Sequence, residues 1–207
     1  MQTTGSPALE STTGSGVIGA TIDEALIMAI SAGDERAMRT LYNRHRIRVF
    51  RFAVRLVGDA ASAEDIVSEA FVEVWRQAAR FEKRSSVSTW IMSIARFKAL
   101  SVRRRRQEID LDASLAETVA DQSSTPEQVV MEMDRRAQLR ACLMKLSPDH
   151  REIVDLVYYH DKTIEEVAEI VGVPKNTVKT RMFYARKRLA QLLAQCSDFD
   201  HLAPAAV

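Results

Sequence analysis

The 207 residues are 46% hydrophobic and 28% charged, with a formal net charge of +1, which leaves room for one large or two small globular domains and excludes a low-complexity or fibrous chain. No run of about 18 apolar residues occurs, and the first residues carry neither a basic start nor an apolar core, so no membrane span or secretory leader is expected. The small net charge hides a segregation: Asp23–Arg106 carries 17 basic against 10 acidic residues, Gln107–Asp134 carries 8 acidic and no basic ones, and Arg135–Gln195 carries 12 basic against 7 acidic.

In chain order, residues 1–21 are Thr/Ser/Gly-rich and read as a disordered extension. Asp23–Ala32 gives the first helical pattern. Asp34 is placed as the N-cap of a second, which runs to about Val57 through Ala37, Leu41, Val49, Phe52, Ala53 and Leu56 until Gly58-Asp59 breaks it. Ser62 is predicted to cap a third helix, with Asp65 as the capping-box acid and Ala63, Ile66, Val67, Ala70, Phe71 and Val74 as its buried face. A polar stretch, Glu82–Ser88, precedes a helix over Thr89–Arg106 whose stripe is Trp90, Ile91, Ile94, Ala95 and Leu100. Residues 107–126 form an acidic linker ending at Pro126. A helix over Glu127–Leu146 follows, with Cys142 as a buried thiol, and Ser147-Pro148 starts the next one. Ile164, Val167, Ala168 and Val171 then run into Gly172, and a last helix repeats Val178, Met182, Ala185 and Leu189 on one face. Residues 196–207 read as a tail. No strand pattern occurs, so the expected fold is all-α: two small helical domains, 22–106 and 127–195, joined by the acidic linker.

The last two helices, joined by Gly172-Val173-Pro174, describe a helix-turn-helix. Gly172 suits the left-handed backbone that ends a helix, and Pro174 can open one because first-turn N–H groups lack partners anyway. Opposite the apolar stripe stand Asn176, Thr180, Phe183 and Lys187, flanked by Lys175, Lys179 and Arg186 on one side and Thr177 and Tyr184 on the other. Such side chains hydrogen-bond base edges, touch thymine methyls and neutralise phosphates. A solvated basic face is the plainer reading of this helix by itself; the preceding helix and tight turn favour DNA.

On the outer face of the third helix, Asp65, Ser68 and Glu69 lie beside Val72 and Trp75. A Trp among carboxylates suits a protein partner, because aromatics are enriched in interface cores. The loop residues Lys83, Arg84, Ser85, Ser86 and Ser88 stand before a helix ending in Arg103–Arg106, an arrangement suited to an unstacked base and its phosphates. The four histidines share no metal-ligand spacing and are read as surface or partly buried. Neither a metal nor a cofactor is expected, and the absence of a phosphate loop, nucleophile elbow or paired carboxylate site argues against an enzyme.

Four segments then carry a resemblance: Asp65–Trp75 (DIVSEAFVEVW), Ser88–Arg96 (STWIMSIAR), Leu146–Glu152 (LSPDHRE) and Thr163–Arg188. In this order they resemble bacterial sigma factors of the extracytoplasmic-function type, over about Asp23–Leu193. The resemblance implies a cytoplasmic promoter-specificity subunit of RNA polymerase. Asp65, Ser68, Glu69, Val72 and Trp75 would dock on the clamp of the largest polymerase subunit, and the C-terminal domain on the beta flap. Lys83, Arg84, Ser85, Ser86, Ser88, Arg96, Lys98, Arg103 and Arg104 would hold the melted −10 element. Lys179, Thr180, Phe183 and Tyr184 would read the −35 element, with Lys175, Asn176, Thr177, Arg186 and Lys187 around them. The acidic linker would thread toward the RNA exit path, its charge mimicking RNA phosphates. An anti-sigma factor would hold the protein inactive. Glu82-Lys83-Arg84 replaces the Arg-Gly-acidic pattern of many relatives, so the family's base preference is not carried over. The alternative is a stand-alone helix-turn-helix regulator, which would dimerise on paired half-sites.

Overall fold

A computed structural model describes residues 13–110 and 138–200, among which there are helices and connecting turns but no strand. The helices are α1 (Thr13–Ser31), α2 (Glu35–Val57), α3 (Ala60–Gln77), a 3-10 turn (Ala78–Arg80) and α4 (Val87–Asp110), followed by α5 (residues 138–144), α6 (Pro148–Tyr158), α7 (Ile164–Val171) and α8 (Lys175–Asp200).

The first module packs α2, α3 and α4 around one core, with Leu41, Ala53, Ala70, Val74, Ile91 and Ala95 fully buried and α1 closing one side. Each large aliphatic chain so buried contributes about 1.5–3 kcal/mol. Helix α1 starts at Thr13, inside the segment read as an extension. Once a helix is nucleated, each further residue adds a hydrogen bond for little entropy, so a weakly patterned stretch can be recruited. Asp23 fixes α1 to α2 by accepting from Arg44 Nε and lying against His45 Nε2, both at 2.7 Å. Burial alone would raise its pKa, but His45 and Arg44 hold the carboxyl below its usual range. His45, expected at the surface or partly buried, is buried.

Asp34 caps α2 as expected, accepting from the backbone N–H of Arg36 and Ala37. Gly58 ends α2 at φ 74°, in the left-handed region, and donates to Val54 O. That reversal makes Asp59 the extended residue entering α3, so Asp59 is the N-cap in place of Ser62, whose N–H it accepts at 2.8 Å. The hydrogen bonds from Ser62 hold the Asp59 carboxyl at about 2. Arg106, from the arginine run, donates to Asp59 at 3.1 Å and to Ser62 Oγ at 2.6 Å, pinning the end of α4 to the start of α3. Helix α4 continues to Asp110, so Gln107–Asp110, expected in the linker, are helical. The remainder of that linker and the first half of the helix expected at Glu127–Leu146 lie outside the described residues.

In the second module Ser147 caps α6 with Pro148 in its first turn. Arg151 donates to the carbonyls of Leu143, Met144 and Leu146, which satisfies the end of α5. Thr163 and Glu166 form a capping box at the start of α7. Gly172, at φ 72°, ends α7, and Pro174 O accepts from Thr177 and Val178 to open α8. The core contains Cys142, Ile153, Leu156, Val167, Val178, Met182 and Ala185.

Two members of that second core come from the first module. Phe52 of α2 and Met92 of α4 are buried among the second module's side chains, and α7 packs on α4 as α6 does on α2. The two modules are thus in direct contact.

Candidate nucleic-acid and polymerase interfaces

Burial of Val178, Met182 and Ala185 turns the opposite face of α8 to solvent. Lys175, Asn176, Lys179, Thr180, Phe183, Tyr184, Arg186 and Lys187 are exposed there, and Thr177 is half-buried. Phe183 and Tyr184 are 62% and 53% exposed and meet edge to face, with centroids 5.4 Å apart. Two large rings left in water beside four cations form an unsatisfied surface, apolar enough for base contact and positive enough for phosphate. Lys175 is the member with an ion-pair partner on the adjacent helix, Glu165 of α7 at 3.3 Å.

On α3, Asp65, Ser68, Glu69, Val72 and Trp75 are all exposed, Val72 at 49% and Trp75 at 37%. Val72 and Trp75 line a shallow cavity of about 280 Å³ with Met38, Tyr42, Ser68 and Phe71. Its walls are apolar, and the exposed carboxylates Asp65 and Glu69 stand on the same helix, which suits a protein partner with aliphatic and basic side chains. Glu69 also accepts an ion pair from Lys98 at 3.3 Å, which links this face to α4.

The third set of expected residues does not form a single open site. Lys83 adopts a positive φ of 55° and reaches Glu24 at 3.1 Å, while Arg84 pairs with Glu82 at 2.6 Å. Ser85, Ser86, Ser88, Arg96, Lys98 and Arg103 are half-buried and Arg104 is exposed. On the far side of α4 a cavity of about 410 Å³ is lined by Glu73, Gln77, Trp90, Ser93, Ile94, Phe97 and Lys98. Trp90 leans on Phe81 with centroids 4.9 Å apart, and Phe97 is 69% exposed. Of these lining residues only Lys98 was among the expected site residues. Trp90 was placed in the core stripe, and the pairing of Phe97 with Lys98 on an outer face was the signal that could have found the rest.

Residues of the second module occupy the near side. Glu166 Oε1 accepts from Thr89 Oγ1 at 2.6 Å and from Ser86 Oγ at 3.0 Å. Lys162 Nζ donates to Thr89 Oγ1 at 2.9 Å, to Ser88 Oγ at 3.2 Å and to Glu166 at 2.9 Å. Glu152 takes Arg96 Nε at 2.6 Å and Nη2 at 3.1 Å, and Asp155 pairs with Arg55. His160, read as a surface or partly buried residue, is buried edge-on against Phe52. Burial pushes the Glu166 carboxyl up, but the hydrogen bonds from Thr89 and Lys162 outweigh it and hold the group at about 2. Burial pulls the Lys162 ammonium below its ordinary range, with Glu166 opposing. No sequence pattern marked these partners, although the T-x-x-E of Thr163–Glu166 would have placed Glu166 on the first turn of α7.

Among the described residues, no helix is long and apolar enough to cross a membrane, and no three His, Cys, Asp or Glu side chains are grouped to hold a metal.

Comparison with known proteins places both modules. Residues 41–109 match the family Sigma-70 region 2, and residues 136–189 match Sigma-70, region 4. The RNA polymerase sigma factor CarQ of Myxococcus xanthus is 30% identical, over 79% of this chain and 92% of CarQ. The ECF RNA polymerase sigma factor SigL of Mycobacterium tuberculosis is 29% identical, over 83% of this chain and 97% of SigL. Among solved structures, CnrH in complex with the cytosolic domain of CnrY has the same fold, with a TM-score of 0.62 at 22% identity over 84% of this chain and 98% of the matched one. RpoE of Bartonella quintana, in complex with the anti-sigma factor NepR, gives a TM-score of 0.58 at 28% identity over 71% and 90%. With both sigma regions in sequence order and full-length relatives of this similarity, the chain belongs to the sigma-70 family of RNA polymerase sigma factors, in its extracytoplasmic-function group.

Proposed function

We propose that this sigma factor works in the cytoplasm as an alternative promoter-specificity subunit and docks on core polymerase through Asp65, Ser68, Glu69, Val72 and Trp75, with the second module on the beta flap. Helix α8 reads the −35 element through Lys179, Thr180, Phe183 and Tyr184, while Lys175, Asn176, Thr177, Arg186 and Lys187 meet phosphates and neighbouring base edges. The Glu82–Ser88 loop and α4 capture the melted −10 strand, with Lys83, Arg84, Ser85, Ser86, Ser88, Arg96, Lys98, Arg103 and Arg104 on its path. The domain limits follow: 22–106 for polymerase and −10 binding, 127–195 for −35 binding, with the acidic linker between. The reading involves no covalent chemistry; its energy comes from phosphate neutralisation, a few base contacts and polymerase binding.

The observation that carries this reading is the pair of exposed aromatics, Phe183 and Tyr184, standing among cations on the second helix of a helix-turn-helix. An anti-sigma factor that covers the polymerase-facing surfaces is the natural regulator, since RpoE at 28% identity was solved with one. Run-off transcription on the promoter upstream of its own gene, with core polymerase and with or without this chain, tests the reading. Promoter-dependent transcripts appearing only with the chain support it; identical products with and without it overturn it.

A further inference from the structure

The loop between α3 and α4 is anchored at both ends and reversed in its middle. At its entry Phe81 donates its N–H to Ala78 O at 3.2 Å, and its ring leans on Trp90 of α4. At its exit Ser86 starts α4: its carbonyl accepts from the Trp90 N–H at 3.0 Å and its hydroxyl from the Thr89 N–H at 3.2 Å. Four residues, 82–85, bridge these anchors. Lys83 makes the reversal at φ 55°; it and Asp161 are the non-glycine residues with positive φ among the described residues. A Cβ makes that region sterically costly, and glycine alone enters it freely.

The same residue ties the loop to the rest of its module. Lys83 Nζ lies 3.1 Å from Glu24 Oε2 on α1. Glu24 is itself held by its neighbours: Asp23 is buried and joined to Arg44 and His45 of α2, and Ile27 and Ile30 are sealed in the core. Helix α1 also packs on the 3-10 turn from which the loop leaves. Arg84, by contrast, pairs with Glu82 of its own loop, and both stay largely in water. Lys83 is thus committed to protein twice, by its backbone and by its ammonium, and Arg84 remains the exposed cation of the loop.

We propose that Glu24 and Lys83 form a brace that fixes the 82–85 loop in one conformer, so that Lys83 is a positioning residue for base selection at −10 and not a phosphate contact. The proposal rests on the assignment of this loop to the −10 strand. An exposed ion pair adds little to fold stability. In a short loop with fixed ends the same small energy decides between conformers, and only the competent fraction binds with full affinity. A loop already in its binding conformer bears no ordering cost when the right base arrives, whereas a loose one reshapes around a wrong base.

Holoenzyme is assembled with the full-length chain, as wild type, Glu24→Gln, Lys83→Met or Lys83→Val. Each is titrated with fork-junction DNA that carries the chain's own promoter and an unpaired non-template −10 strand. Every −10 position is varied through the four bases, and binding is repeated across a salt series. Glu24→Gln and Lys83→Met should each lower the base preference at one position about two- to fivefold, the range that an exposed pair can hold. Both should leave the slope of log affinity against log salt unchanged, since Lys83 neutralises no phosphate. Lys83→Val, β-branched and barred from φ 55°, should lose as much preference or more. A slope lower by about 1 in Lys83→Met overturns the brace, because it makes Lys83 a phosphate contact. Unchanged preference in Glu24→Gln overturns it as well. If Lys83→Val fails to fold in a urea melt, the other two variants, which leave the backbone as it is, decide alone. A wild-type holoenzyme indifferent to every −10 base would instead overturn the assignment of the loop; a wild type that discriminates, with variants that match it, overturns the brace alone.

Discussion

Arg96 and Glu152 stand 56 positions apart in sequence and are joined by two hydrogen bonds, Nε to Oε1 at 2.6 Å and Nη2 to Oε2 at 3.1 Å. Glu152 is buried and Arg96 half-buried, in a geometry where two donors of a planar fork meet both oxygens of a carboxylate. The pair connects α4 of the first module to α6 of the second. Removing either partner leaves the other's charge buried alone. A double-mutant cycle of Arg96→Ala and Glu152→Ala in urea denaturation should therefore return a coupling of about 1–3 kcal/mol; a coupling near zero would mean the pair is a surface contact in solution.

Acid should loosen the same boundary. The Glu166 carboxyl titrates at about 2 in the folded chain against an ordinary value of 4.5, so its folded pKa is depressed. A group of this kind contributes stability above its unfolded pKa and loses it as pH falls through the folded one. Module contact should weaken progressively from about pH 4.5 to about pH 2, read by amide hydrogen exchange in α7. In Glu166→Gln this part of the pH dependence should be flat.

Phe183 and Lys187 should separate two kinds of DNA contact. Phe183→Ala should cost about 1–3 kcal/mol of holoenzyme affinity for the promoter and relax preference at one base position. Lys187→Ala should weaken all sequences alike and lower the salt slope by about 1. Both side chains are exposed, so the melting temperature should hardly move. Equal losses on specific and random DNA for Phe183→Ala would show that it reads no base.

Trp75→Ala should raise the Kd for core polymerase by about thirtyfold, as for a central aromatic anchor worth on the order of 2 kcal/mol. Fold stability should drop by no more than about 1 kcal/mol, because more than a third of the side chain is already in water. Fluorescence titration beside a urea melt separates the two quantities.

Gly172→Ala should destabilise the second module by about 1–2 kcal/mol, because φ 72° is left-handed and a Cβ there meets no atom within 4 Å. The cost is backbone strain alone, so Gly172→Asn, which tolerates that conformation, should recover part of it in the same urea melt.

What could be read from sequence was what the chain encodes locally. Gly58 and Gly172 end helices, Asp34 and Ser147 start them, and the Val178–Met182–Ala185 stripe fixes which face of α8 is exposed, because each depends on neighbours within a few residues. The misplaced cap shows the limit of that reading. Asp59 and Ser62 both stand at the start of α3 with capping chemistry, and only the backbone reversal at Gly58 decides between them. The site was legible as faces and not as partners. Periodicity marked Phe52 as apolar without saying which module covers it. Nothing in the order of residues brings Lys162 to Ser88, because that meeting is made by the packing of α7 on α4.

Phe52 and Met92 give the boundary a further consequence. They lie on the first module's own helices, yet neighbours from the second hide them from water. If the modules part, a ring and a thioether are bared together on one surface. That surface is sticky, so a separated chain without a successor to cover it is prone to self-association. Solubility and readiness to bind DNA are then opposed properties of the same few square nanometres, and overexpressed chain would aggregate first from its most binding-competent state.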